Sequence, residues 1–192
     1  MTWDAAGNRI TFQSSTRAND TDTYTFVYDP TAGIPAVIEE TTPTGINRYI
    51  REPGGALIAR VSTVGETETT RYYHFDELGS TQFLTAIDGT VTDKYSYDAW
   101  GNLVSHVGNT QQPYQYVGRY GYYNHTQDSN LKMMQLGVRL YDSEIGRFVQ
   151  VDPIQDGINW YVYAITSPLR YVDPSGFAIW WEMPGYGIVY YY

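Results

Sequence analysis

Two Asp-Pro steps stand close together near the end of the chain, Asp152-Pro153 in VQVDPIQDG and Asp173-Pro174 in YVDPSGFAIWW. Two carboxylates brought close to each other do not both ionise cheaply. One then holds a proton while the other acts as a base toward water, the pairing that hydrolyses an amide. A plainer chemistry fits the same letters. Asp-Pro with a Gly a few residues on is a good turn, and Asp in such turns most often accepts hydrogen bonds from the backbone amides just ahead. The residues alone leave both open, two separate loops or two halves of one site.

Other chemistry-bearing residues are sparse. The chain has no cysteine, which excludes disulfides, thiolate metal sites and Cys nucleophiles and leaves the redox compartment open. His74, His106 and His125 lie far apart and form no HxH or HExxH spacing, so no metal site and no cofactor is expected. The stretch EPGGALIAR has glycines but no following Lys and Ser or Thr, and reads as a hairpin turn rather than a phosphate loop. Asn124-His125-Thr126 matches a glycosylation sequon by pattern only.

The elements that must carry these residues are announced by repetition. MTWDAAGN, FVYDPTAG, YHFDELGS and YSYDAWGN share one shape. An aromatic sits immediately before Asp4, Asp29, Asp76 and Asp98, and a second apolar residue two positions before it, which places both on one face of a strand. Asp4, Asp76 and Asp98 are followed three residues later by Gly7, Gly79 and Gly101, and Asp29 four later by Gly33. Asp bonding the amides ahead and Gly taking positive φ close a strand into a hairpin. YIREPGGALIARVS and LTAIDGTVTDKYSY read the same way, strand, Gly turn, strand. A long antiparallel ribbon is expected. Beyond Gly101 the pattern weakens to loops and short strands. LKMMQLGVRLYDSEIGRF fits a helix by content and a strand by alternation, with Gly137 and the following turn favouring the strand.

Composition agrees. The 192 residues suffice for one domain with a sizeable core, and 20 Tyr with 18 Gly and 9 Pro suit strands joined by tight turns. Twelve basic against 21 acidic side chains give a formal charge of -9, which repels phosphate backbones, so nucleic acid is not an expected partner. MTWDAAGNRI has neither the basic nor the apolar region of a signal peptide, and no stretch is apolar for long enough to span a membrane.

These motifs resemble the RHS or YD-repeat proteins. The YDxxGN units are similar to YD repeats. RLYDSEIGRFVQVDPIQDGINWYVYAITSPLRYVDPSGF resembles the RHS repeat-associated core domain in its order of Arg and Tyr-Asp, Gly-Arg-Phe, a first Asp-Pro, Asn with alternating Tyr, a Pro and a closing Tyr-x-Asp-Pro-x-Gly. The resemblance implies an all-β fold of antiparallel YD-repeat hairpins in a curved or spiralling sheet, part of a β-cocoon shell, closed by a C-terminal core or plug region. It implies residues 1–105 as repeats, 106–177 as core domain and 178–192 as a short tail. It further implies that the core domain closes the shell and cuts the chain after DPSGF by an aspartyl mechanism, with Asp152 and Asp173 as the aspartates, Arg139 as the arginine, and Phe177 to Ala178 as the bond. An arginine beside such a pair holds a carboxylate ionised or stabilises the developing oxyanion. Phe177 stands where the family closes with Leu, and Gly157 comes later than the glycine after the first Asp-Pro usually does.

The partners implied are the remainder of an RHS shell or further copies of the chain, with a C-terminal toxin cargo elsewhere; the location implied is secreted or cell-surface. Fifteen residues after Phe177 are too few for a toxin enzyme, so the tail is expected to fold back as a strand on its own domain or to pair with another chain. Two other classes compete: a non-enzymatic structural subunit assembling through open sheet edges into a shell or filament, and a carbohydrate-binding module suggested by Tyr content alone, which inter-strand packing explains better.

Overall fold

The structure, a computed structural model, describes residues 1–5, 7–17, 20–31, 36–155, 158–177, 179–183 and 187–191. Gly33, Gly157 and Ala178, each named above, lie outside the described residues.

Ten strands follow one another through a single antiparallel sheet: β1 (Thr2–Trp3), β2 (Arg9–Arg17), β3 (Asp20–Asp29), β4 (Ala36–Thr42), β5 (Gly45–Arg51), β6 (Leu57–Val64), β7 (Thr67–Phe75), β8 (Thr81–Thr85), β9 (Val91–Tyr97) and β10 (Leu103–Val107). Each pairs with its neighbours in sequence, which is what hairpin units with short turns dictate. Because side chains alternate across a strand, eight successive strands, β2 to β9, each turn one buried residue to the same face: Phe12, Phe26, Val37, Tyr49, Leu57, Tyr73, Leu84 and Tyr95. Tyr114 and Tyr123, from the chain after the sheet, complete that core with edge-to-face contacts at ring separations of 4.8 Å to Tyr49 and 5.6 Å to Phe26. The expected long antiparallel β ribbon is therefore the observed architecture.

The repeat turns share one geometry. Asp4, Asp76 and Asp98 each accept the N–H of the residue four ahead on Oδ1, and the glycine three ahead donates to the Asp carbonyl. Gly7, Gly79 and Gly101 have φ of 84°, 91° and 95°. Glu52 to Ala56 and Ala86 to Thr90 repeat the same backbone bonds without the Asp in first place. The repeat thus continues through the stretch where its sequence signature fades, with Gly55 and Gly89 at positive φ and, in the second turn, Asp88 Oδ1 accepting the Thr90 N–H.

A second, four-stranded sheet holds β11 (Tyr123–Asn124), β12 (Met134–Leu136), β13 (Arg139–Asp142) and β14 (Arg147–Phe148), in that order. The ambiguous run from Leu131 is strand, folded at Gly137 into the β12–β13 hairpin. A separate core of Tyr116, Tyr122, Met134, Leu136, Tyr141, Phe148, Tyr163 and Val172 lies under it, with Val117 and Ala164. The segment 114–123 serves both cores, sending Tyr114 and Tyr123 to one and Tyr116 and Tyr122 to the other. In the tail, β15 (Ile179–Met183) and β16 (Gly187–Tyr191) pair with each other and not with either larger sheet. The tail, expected to fold back as a strand on its own domain or to pair with another chain, instead holds two strands that satisfy each other's backbone groups. Among the described residues no helix is long and apolar enough to cross a membrane.

Candidate functional site

Arg139 opens β13 and is 3% exposed. Its guanidinium lies 3.6 Å from the centre of the Phe148 ring on β14, the next strand, which fixes the plane of the fork. Nη1 then lies 3.2 Å from Asp152 Oδ2 and Nη2 3.0 Å from Asp173 Oδ2. One arginine therefore joins the two Asp-Pro turns. Asp173 is 2% exposed and Asp152 9%. Nη1 also reaches the Trp160 carbonyl at 3.4 Å, while Nε is buried without a hydrogen-bond partner.

Each turn is held by its own chemistry. Asp152 N–H donates to Trp160 O at 2.9 Å, and Asp152 Oδ1 accepts the Ile154 N–H at 2.8 Å, the bond a capping Asp makes in a turn. Asp173 Oδ1 accepts from Ser175 Oγ and from the Phe177 N–H, both at 3.2 Å. The second turn docks directly on the β12–β13 turn. Val138 N–H donates to Ser175 O at 3.2 Å, and a Cβ at Gly137 would collide with that carbonyl, as one at Gly176 would with Leu136 O. Glycine at both positions lets two backbones touch where Arg139 begins.

Beneath the turn lies a pair that the sequence reading did not single out. Asp173 N–H donates to the Tyr122 phenol oxygen at 2.7 Å, and that hydroxyl is 3.0 Å from the Tyr163 hydroxyl. Both tyrosines are fully buried. Burial, then the nearby Asp173 charge, pushes the Tyr122 phenol well above its ordinary range, and burial followed by Tyr122 does so for Tyr163. The one available signal was the alternating Tyr161 and Tyr163 between the two Asp-Pro steps.

The structure thus brings Asp152, Asp173 and Arg139 together and ties Asp173 to the N–H of Phe177, the first residue of the expected scissile bond. Ala178, the second, is outside the described residues. Asp4, Gly7, Asp76, Gly79, Asp98 and Gly101 stay in their hairpin turns, and none of them bonds to Arg139, Asp152 or Asp173 through the turn bonds that hold them. His74 stacks on Phe83 at 4.3 Å, His106 stacks on Tyr95 and contacts Asp93 at 3.2 Å, and His125 is buried against Arg9. Among the described residues no three His, Asp or Glu side chains are grouped to hold a metal.

No protein-family model matches the chain. It is 29% identical over 164 residues to double-stranded DNA deaminase toxin A of Burkholderia cenocepacia (strain H111), covering 74% of this chain and 11% of that protein. It is 26% identical over 185 residues to the tRNA3(Ser)-specific nuclease WapA of Bacillus spizizenii (strain DSM 15029), covering 93% of this chain and 7% of that one. The chain spans about a tenth or less of the length of these relatives. Among solved structures, TcdB2-TccC3 superposes with a TM-score of 0.70 at 20% identity, over 91% of this chain and 9% of that chain. At that identity the likeness is one of fold: a nearly all-β chain in an open curved antiparallel sheet, similar to that of the TcdB2-TccC3 structure.

Proposed function

We propose that this chain is the closing part of an RHS-type toxin shell and that it cuts its own backbone between Phe177 and Ala178. The observation that carries the reading is the buried Arg139 fork bridging Asp152 and Asp173, with Asp173 also holding the Phe177 N–H. The cluster has one positive and two negative charges, so one proton on the pair makes it neutral, the condition under which one carboxyl is an acid and the other a base. Asp152 has the more exposed side chain, 13% against 3%. It takes the proton from a water whose oxygen bonds to the Phe177 carbonyl carbon. The proton that the pair holds passes to the departing amide nitrogen, the C–N bond breaks, and a carboxyl terminus at Phe177 and an amine at Ala178 result. Arg139 counters the charge that develops on the carboxylates and holds both turns in register.

The likeness in sequence to toxins and in fold to toxin-complex chains supports a toxin-related role, with the rest of a shell and a C-terminal cargo as partners and a secreted or cell-surface location. Intact-mass measurement of the purified chain over time tests the reading. Cleavage after Phe177 in the parent and its loss in Asp152→Asn and Asp173→Asn are expected; a chain that stays whole, or variants that cut equally well, would refute it.

A second reading is favoured by the same fork. Both terminal guanidinium nitrogens are engaged by carboxylates that also accept backbone amides, as in a permanent clamp. In that case the chain is a structural subunit, and the open edge at β10, where all five residues are exposed, receives a strand from another copy.

A further inference from the structure

A recess of about 470 Å³ opens between the inner face of β3 to β6 and the segment 111–127, and none of the Arg139, Asp152 and Asp173 cluster lines it. Its charged walls are Asp22, Glu40 and Arg60, one positive charge against two negative. Glu40 is 3% exposed. Its carboxylate accepts from the phenols of Tyr49 at 2.6 Å and Tyr123 at 2.5 Å and from the Asn47 amide at 3.3 Å. Among the described residues no cationic side chain lies within ion-pair distance of it. A carboxylate this deep in a fold is ordinarily matched by a cation.

Two further groups in the wall lack partners. Arg60, 7% exposed, donates from Nη1 to Gln111 O, but its Nε–H has no acceptor. Gln112, 1% exposed, has neither its amide nitrogen nor its amide oxygen hydrogen-bonded. The Tyr95 phenol is near enough to feel that amide yet out of hydrogen-bond geometry with it. Orphaned buried polar groups are rare in folded chains, since each forfeits its hydration. The field in the recess is negative. Burial, then Asp22 and Glu40, push the Tyr24 phenol up, and burial, then Glu40, do the same to Tyr49 and Tyr123.

The carboxylates of Glu40 and Asp22 suit a cation, and the unpaired Arg60 Nε–H and Gln112 amide nitrogen suit an anionic acceptor. The volume suits one amino acid or a short peptide end. The wall charge of -1 matches a ligand of net +1, and the whole chain at -9 draws such a ligand in. We propose that this recess binds a basic α-amino acid, free or as the C-terminal residue of a peptide. Its side-chain cation rests on Glu40 and Asp22, and its carboxylate on Arg60 and Gln112. The site is independent of self-cleavage, and either stands if the other falls.

Titration calorimetry of the whole chain with L-arginine, agmatine, L-citrulline and the tripeptide Gly-Gly-Arg tests this. L-Arginine should saturate one site. Agmatine, without the carboxylate, and citrulline, without the charge, should each bind about ten-fold or more weakly, the usual effect of losing one charge-assisted hydrogen bond. Gln112→Met should weaken L-arginine binding about as much, with a thermal melt of the variant checking that its fold is intact. Asp22→Asn, at a half-buried position, should weaken it several-fold. Tighter binding of Gly-Gly-Arg than of arginine assigns the ligand to a peptide end; the reverse assigns it to the free amino acid. No saturable heat with L-arginine or Gly-Gly-Arg, agmatine or citrulline binding as tightly as L-arginine, or an unchanged Gln112→Met would overturn the proposal.

Discussion

The phenol oxygen of Tyr122 accepts the backbone N–H of Asp173 at 2.7 Å, joining the chain after the large sheet to the second Asp-Pro turn. Tyr122→Phe removes that acceptor and leaves a buried amide unpaired, a loss of about 1 to 3 kcal/mol. Tyr163→Phe leaves the Tyr122 to Asp173 bond in place and should cost about 1 kcal/mol or less. Urea unfolding of the two variants checks the order. Equal destabilisation would mean that the hydroxyl pair, rather than the bond to Asp173, holds the turn.

Arg139→Met strips the cation from two buried carboxylates and should destabilise by about 3 to 5 kcal/mol, the usual result of breaking a buried ion pair from one side. Adding Asp152→Asn and Asp173→Asn to the same chain should recover part of the loss, since no uncompensated charge is then buried. Denaturant midpoints for the single and triple variants measure the difference. A triple variant less stable than Arg139→Met would contradict this account.

Gly101 and Gly89 occupy the same place in two turns of the same geometry, with φ of 95° and 82°. A Cβ on Gly101 would come within 2.6 Å of the Tyr116 ring, whereas one on Gly89 meets nothing. Gly89→Ala should therefore cost about 1 kcal/mol, the strain of positive φ alone. Gly101→Ala should cost clearly more, because Tyr116 is buried in the second core. Thermal melts of the pair decide it.

His125 is 1% exposed; its Nδ1–H donates to Met133 O at 2.9 Å, and Nε2 accepts from Arg9. Burial first, then the Arg9 charge, lowers its pKa from 6.5 to about 3. The unfolded chain thus binds a proton that the folded chain refuses. The stability from neutral His125 is fully present above pH 6.5 and falls as pH drops toward 3, by about 1.4 kcal/mol per pH unit. Burial opposes the charge on Asp93 and Asp98, yet hydrogen bonds from Thr110 and Asn102 hold both below 3.8. Their contributions are lost only below that value. Unfolding free energies between pH 6.5 and 4.5, compared between the parent and His125→Gln, isolate this histidine, and the variant should show the flatter slope.

The hairpin architecture was readable from the chain because its causes are local. An aromatic two residues from another apolar residue shares its face, Asp then accepts the amide four ahead, and Gly supplies positive φ. Where the Asp was missing, at Glu52 and Ala86, the Gly turn still marked the hairpin. The tail was harder, since alternation cannot say which edge a strand will choose. The helix-or-strand ambiguity after Leu131 had a similar origin: a three-residue strand is too short to show a period.

The candidate site divides along the same line. Asp152, Asp173 and Arg139 were named through motif resemblance, but two Asp-Pro turns spell the same letters whether they meet or not. Their meeting depends on Gly137 and Gly176 letting two backbones touch, and on Phe148 orienting one guanidinium. Tyr122 was invisible among 20 tyrosines of similar surroundings, with its partners at Tyr163 and Asp173 far along the chain. The recess at Glu40, Arg60 and Gln112 also draws its walls from strands and a loop remote in sequence. What the sequence by itself determined is the set of units, strands and turns whose bonds run between near neighbours. Which buried charges face each other was decided only by tertiary structure, because a pairing across distant segments leaves no periodicity in either one.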